Sequence, residues 1–243
     1  MSSVHAVPVP TPDGFIPAVV HLPTRIPAPV VVCCHGLLSY KGSSKFAAIG
    51  EEYCRAGSVV VRFDFSGCGE SKVIQRESLL FSRLRDLRSV VDYVRNQSWS
   101  SGAIGLLGSS LGGYLSLLYA AESCHPIQAV VCWATPFDLS RIKGALTQSE
   151  ELKQIVPPDF QLGNPVNLMD LAPVPRVLII HGQQDQTVSW NDAVAIYRRV
   201  GEPKRLILME TADHRLLDPH WREMAMKLSL EWFLEQGLCS DTI

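Results

Sequence analysis

The residues best suited to chemistry lie in AIGLLGSSLGGYLSLLYAA, residues 103–121, where two serines stand between glycines in an otherwise apolar run. Gly108-Ser109-Ser110-Leu111-Gly112 fits G-x-S-x-G, preceded by a strand-like run and followed by a helix-like one. That context gives the pattern meaning, because a serine on a sharp strand-to-helix turn projects beyond the sheet edge. The turn demands unusual backbone angles and neighbours without bulk, which Gly108 and Gly112 provide. The following helix then presents free N–H groups and its positive dipole end where an oxyanion would form. Only Ser110 holds the central position, so Ser109 reads as a small neighbour. On these five residues alone, a glycine-rich helix start capped by a serine is an equal reading.

A serine hydroxyl at its ordinary pKa is a poor nucleophile and needs a base with an acid to orient it. VLIIHGQQDQTV puts Asp185 just past the end of a later strand, and METADHRLLD puts His214 in the loop after the last one. Of the other histidines, His5, His21 and His125 fall at edge, early or helix-end positions. His181, at a strand end, reads as a structural donor, and His220 lies in the first turn of a helix. For the acid, Asp138 in TPFDL is the rival, following the preceding strand, whereas Asp213 is too close to His214 to face the same ring nitrogen. Asp185 is preferred, with Asp138 as a hydrogen-bonding or lid-base residue. VVVCCHGLL ends another buried strand at His35-Gly36, so the N–H of Leu37 and that of Leu111 could form a two-donor oxyanion hole. His35 itself reads as a packing or hydrogen-bonding residue.

These groups must be held by a scaffold, and short β-rich runs alternating with helical patterns predict a mostly parallel sheet covered on both faces. Strands are expected at 4–9, 15–22, 30–34, 58–63, 103–107, 127–133, 176–180 and 205–209, the first two joined by TPDG as an antiparallel edge hairpin. Leu80, Leu84, Leu87, Val91 and Val94 form one helical stripe. Ser189 and Asp218 open two later helices, and Trp221, Met224, Leu228 and Trp232 share a face of the last. Residues 139–173 exceed an ordinary connection and read either as a small lid or as a crossover helix with a long loop.

Composition removes several alternatives. The 243 residues carry a net charge of -2 with a pI near 6.4, so no basic field draws nucleic acid. Seven cysteines without a CxxC pair read as reduced, mostly buried residues of a cytoplasmic protein, and no metal site is expected. The segment MSSVHAVPVPTPDG lacks a signal-peptide pattern, and no apolar run approaches the length of a membrane span. In VRFDFSGCGES the glycines and Asp64 match neither nucleotide-binding spacing, so the segment reads as a structural turn beside the oxyanion loop, and Cys68 as no nucleophile.

Together these pieces resemble the α/β-hydrolase superfamily over nearly the whole chain: HG at 35–36, DFSGCGES at 64–71, GSSLGG at 108–113, HGQQDQTV at 181–188 and DH at 213–214. The chain looks most like serine aminopeptidase-type and cinnamoyl (feruloyl) esterase-like hydrolases with small lids. The resemblance implies an α/β-hydrolase fold of about eight strands, a triad of Ser110, Asp185 and His214, and oxyanion donors at Leu37 and Leu111. It implies no metal or organic cofactor. One departure stands out: relatives often write the turn D-x-R-G-x-G, and here Ser66 replaces the arginine.

The expected protein is one domain over residues 1–243 with a lid-like insertion at about 139–173. It would be a serine hydrolase of carboxylic esters or thioesters, acting on a small-molecule ester through an acyl-enzyme. An aminopeptidase or amidase using Glu150, Glu151 or Asp159, or a binding protein that keeps only the fold, are the alternatives. Leu38, Leu146, Ile155 and Phe160 are the candidate pocket wall, favouring an uncharged acyl group.

Overall fold

In the computed structural model, residues 2–73, 78–139, 163, 166 and 168–239 are described. Leu146, Ile155, Phe160, the three lid carboxylates and most of 139–173 lie outside them. Apolar runs that do not alternate call for strands covered on both faces, and they assemble into one sheet. Its strands are β1 (Ser3–Thr11), β2 (Gly14–Leu22), β3 (Ala28–Cys34), β4 (Val59–Phe63), β5 (Ser100–Ser109), β6 (Ala129–Trp133), β7 (Val177–Gly182) and β8 (Lys204–Met209). The spatial order is β1-β2-β4-β3-β5-β6-β7-β8. The hairpin β1–β2 and the pair β2–β4 are antiparallel, and every pairing from β4 to β8 is parallel. Each expected strand has its counterpart, with ends displaced by a few residues.

Among the described residues the helices are α1 (Ser44–Arg55), α2 (Leu79–Arg95), α3 (Leu111–Glu122), α4 (Trp190–Arg199) and α5 (Pro219–Glu235). Successive strand residues point to opposite faces. Val30, Val32 and Cys34 therefore pack with α2, α3 and α4, while Val31 and Cys33 pack with α1 and α5. Each wholly buried valine contributes roughly 1.5–3 kcal/mol. A one-residue slip would exchange the two faces, so the register is strongly specified.

Two helices present their expected apolar stripes to the core, with Leu80, Leu87, Val91 and Val94 buried in α2, but bury further residues beside them. In α2 the inward face includes Arg83 and Asp86 beside Leu79, Leu87 and Val90, and Leu84 is only half-buried. Both charged side chains bond to loop groups next to the sheet edge, which a purely apolar stripe cannot anticipate. In α5 the buried residues are Ala225, Met226, Ser229, Trp232 and Phe233, with Trp221, Met224 and Leu228 at the margin. Small Ala225 and Ser229 admit the sheet closely, and the Trp133 indole N–H donates to Ser229 Oγ at 2.9 Å.

The register carries the functional consequence. Cys34 pairs with Gly108 and Gly108 with Cys132, Ser109 with Trp133, Trp133 with Ile180, and His181 with Leu208. The carboxyl ends of β3 and β5 to β8 thus open onto one edge. From β3 the chain proceeds to β4 on one side and later to β5 on the other, which makes the β3–β5 crevice the switch point where α/β sheets bind ligands.

Candidate active site

Ser110 joins β5 to α3 at φ 55°, ψ -122°, a backbone conformation that residues with a Cβ rarely adopt. Three hydrogen bonds hold it there. Its N–H donates to Trp133 O at 2.7 Å, and its carbonyl accepts from the N–H groups of Gly113 at 2.9 Å and Tyr114 at 3.2 Å. The flanking glycines are required by close approach: a Cβ on Gly112 would lie 2.0 Å from the Cys34 carbonyl oxygen, and one on Gly108 2.4 Å from the Gly112 backbone. The turn is wedged against the end of β3, and strain is concentrated at the residue whose hydroxyl faces the crevice.

His214, in the loop after β8, brings its ring between two partners. Nε2 is 3.2 Å from Ser110 Oγ, and Nδ1 is 2.7 Å from Asp185 Oδ2. An ionised carboxylate only accepts, so the proton belongs on Nδ1 and the lone pair of Nε2 faces the hydroxyl. Asp185 is itself saturated: Oδ1 accepts from the N–H groups of Thr187 and Val188, both at 2.8 Å, and Oδ2 lies 3.1 Å from His181 Nε2. Burial acts to raise its pKa, but the hydrogen bonds from His181 and His214 overcome that and hold the carboxyl well below the usual range.

The competing residues lie elsewhere. Asp213 Oδ1 accepts from Leu217 N–H at 2.8 Å and shapes the turn leading to α5. The charge of Asp138 acts on the Tyr114 phenol, whose pKa burial raises while the bond to the Val166 carbonyl lowers it and Asp138 raises it further. His181 also meets the Val188 carbonyl at 3.0 Å, the structural part expected of it. His5 and His125 are exposed, and His21 Nε2 accepts from the Arg62 Nε–H at 3.0 Å.

The loop after β3 is braced from within. His35 is buried, with Nδ1 2.7 Å from the Gly36 carbonyl and Nε2 3.1 Å from the Phe65 N–H, so Nδ1 donates and Nε2 accepts. Burial, reinforced by the Arg83 charge, lowers its pKa to about 3, and the ring is a neutral strut. It ties the 35–37 loop to DFSGCGES, the neighbour relation the sequence suggested. A Cβ on Gly36 would sit 3.4 Å from Ser110 Cβ, so this loop touches the serine turn. In a trans peptide the C=O and N–H point opposite ways. The Gly36 carbonyl faces the His35 ring, and the Leu37 N–H therefore faces away from it. The Leu111 N–H opens α3, where no intrahelical acceptor exists. Among the described residues neither N–H has a backbone acceptor.

Other features were not legible in advance. Lys45, in the first turn of α1, donates to Ser109 Oγ at 2.7 Å, so the second serine serves a lysine. Ser66, standing where relatives often have arginine, bonds through N–H and Oγ to Asp86 at 2.7 and 2.9 Å. Burial raises the Cys68 thiol pKa, in keeping with a residue that does not react. Leu38 is 45% exposed beside the loop. A broad groove of about 890 Å³ runs along the hairpin past Phe15, Tyr40 and Lys72, and none of Ser110, Asp185 or His214 lines it. All seven cysteines are free, and no helix among the described residues is long and apolar enough to cross a membrane.

Residues 29–162 match the alpha/beta hydrolase fold family. The chain is 28% identical over 213 residues to the mitochondrial palmitoyl-protein thioesterase ABHD10 of Homo sapiens, spanning 78% of this chain and 68% of that one. Among solved structures it is similar to esterase PF2001 of Pyrococcus furiosus, with a TM-score of 0.80 at 20% identity, covering 97% of this chain and 91% of the other. It is likewise similar to ferulic-acid-bound Est1E of Butyrivibrio proteoclasticus, with a TM-score of 0.76 at 22% identity over 95% and 99% of the two chains.

Proposed function

The chain belongs to the alpha/beta hydrolase fold family, and from that premise we propose that it is a serine hydrolase cleaving carboxylic esters or thioesters. The observation that carries the reading is the single imidazole of His214, 2.7 Å from Asp185 on one nitrogen and 3.2 Å from Ser110 Oγ on the other. Ser110 attacks the acyl carbon while its proton passes to His214 Nε2. Asp185 stays ionised, keeps the ring in the tautomer that accepts at Nε2, and stabilises the imidazolium. The Leu37 and Leu111 amides hold the oxyanion. Collapse expels an alcohol or thiol carrying the proton from His214, and water repeats the sequence to release the acid.

Likeness to a palmitoyl-protein thioesterase over most of the chain favours including thioesters in the substrate class. We read the chain as one domain, with Leu38 forming part of the acyl wall. Seven free cysteines suit a reducing compartment such as the cytoplasm. The matched human relative is named as mitochondrial.

The test is a panel of p-nitrophenyl esters and acyl thioesters of increasing chain length, run on the wild-type protein and Ser110→Ala, with a fluorophosphonate probe in parallel. Turnover and labelling that both vanish in Ser110→Ala support the proposal. Unchanged turnover in that variant would sink the mechanism. Labelling without ester or thioester turnover would redirect the reading to amides, and neither activity would leave a binding protein.

A further inference from the structure

Arg83 stands out among groups that the proposed mechanism does not use. It is 1% exposed, and although the nearby charge of buried Asp86 acts on it, among the described residues no carboxylate lies within ion-pair distance of it. A buried cation without a paired anion is costly, and it persists only where dipoles replace the lost water. The dipoles here belong to the loop that touches Ser110. Arg83 Nη2 donates to the Leu37 carbonyl at 3.2 Å, and Nη1 lies 3.5 Å from the Gly36 carbonyl. Nη2 also meets Cys68 Sγ at 2.9 Å, the guanidinium carbon sits 5.1 Å from the Phe65 ring centre, and Nε has no partner among the described residues.

Two successive carbonyls of one tight loop thus face a single planar fork. We propose that Arg83 is the positioning residue of the oxyanion-binding peptide, drawing the Gly36 and Leu37 carbonyls inward so that the Leu37 N–H is aimed outward at the oxyanion. The inference rests on the serine-hydrolase reading and deepens it. Each carbonyl that turns inward commits the N–H across its own peptide bond to the opposite side. Removing the fork leaves the Gly36 carbonyl held only by His35 and the Ser39 N–H, the latter at 3.4 Å. His35 still anchors the Gly36 side, but the Leu37 carbonyl loses its Arg83 bond, so the loop is held from one side only and preorganisation weakens just where charge develops. The departure at Ser66 does not leave this corner without a cation, since α2 delivers Arg83 to it.

The role predicts a loss in kcat and not in KM, because the ground-state carbonyl makes less use of an oxyanion donor than the transition state does. Lysine restores the charge but not the two-carbonyl fork, so it should recover little. The experiment compares wild type, Arg83→Lys and Arg83→Gln on a p-nitrophenyl ester, with inhibition by a trifluoromethyl ketone and thermal unfolding of each. Expected are folded variants whose kcat falls by about 10²-fold, with KM nearly constant and ketone affinity weakened by a similar factor. A kcat within about threefold of wild type in either folded variant overturns the inference. So does a loss that only follows the unfolded fraction, or failure of both variants to fold, since each makes Arg83 structural. If wild type neither turns over the ester nor labels with fluorophosphonate, the serine-hydrolase reading itself falls. Active, labelled wild type with unaffected variants removes this inference alone.

Discussion

His214 Nδ1 meets Asp185 Oδ2 at 2.7 Å, and the two loops that carry them are 29 residues apart in the chain. The other carboxylate oxygen is bonded to the amides of Thr187 and Val188, so the acid is aimed before the histidine arrives. Asp185→Asn keeps the shape but favours the tautomer with the proton on Nε2. Ester turnover should fall by on the order of 10³ to 10⁴, with the fold retained. Steady-state kinetics beside circular dichroism check it, and a loss under about tenfold would remove Asp185 from the mechanism.

The same carboxylate sets an acid dependence. Its folded-state pKa is depressed, so the unfolded chain takes up the proton first on acidification. The stabilising contribution is therefore present above the ordinary carboxylate pKa and is lost as pH falls towards the lower folded value. Urea unfolding from about pH 6 to about pH 3 should show the wild-type advantage over Asp185→Asn shrinking with acid. An advantage that grew instead would contradict the assignment.

Lys45 gives a slope of the same sign at the alkaline end. Burial, with help from Arg215, lowers its pKa to about 8 from the ordinary 10.5. Between those values the unfolded chain holds more protons, so stability attributable to this site should rise with pH through that window. Lys45→Met should flatten the rise, as measured by chemical denaturation at a series of alkaline pH values. Identical slopes in the two proteins would show that the ammonium is well solvated.

Backbone strain at Ser110 separates stability from activity. Glycine adopts φ 55° freely. Ser110→Gly should abolish turnover yet unfold at a higher temperature than Ser110→Ala, by roughly 2–4 °C per kcal/mol of strain released. An alanine variant as stable as the glycine variant would mean that the elbow is not strained.

Gly112 tests the wedge between β3 and β5. In Gly112→Ala the added methyl meets the Cys34 carbonyl oxygen at 2.0 Å, and backbone cannot step aside as a side chain can. A destabilisation of about 1–3 kcal/mol or more is expected by denaturant titration, with loss of turnover as the elbow shifts. Near-wild-type values for both would show that the two strand ends can separate cheaply.

Much of the scaffold was determined by sequence alone. Val30, Val32, Val59 and Val61 sit in runs that are apolar at every position, which only strands covered on both faces accommodate. The elbow was legible because its glycines stand on both sides of Ser110 in the sequence, although the contact that demands Gly112 is with the Cys34 carbonyl of β3. Tertiary structure decided which side chains meet. Asp185 and Asp138 both follow strands, and only the pairing of β7 with β8 brings one of them to the His214 ring. Arg83 is the clearest case. In a helix whose other inward residues include Leu79, Leu87 and Val90, an arginine reads as a solvated charge, because periodicity records hydrophobicity and not hydrogen bonds. Its inward place follows from two carbonyls after β3, more than forty residues away in the chain. Local sequence encodes which backbone each segment adopts, whereas the pairing of distant polar groups exists only once the sheet has set their loops side by side.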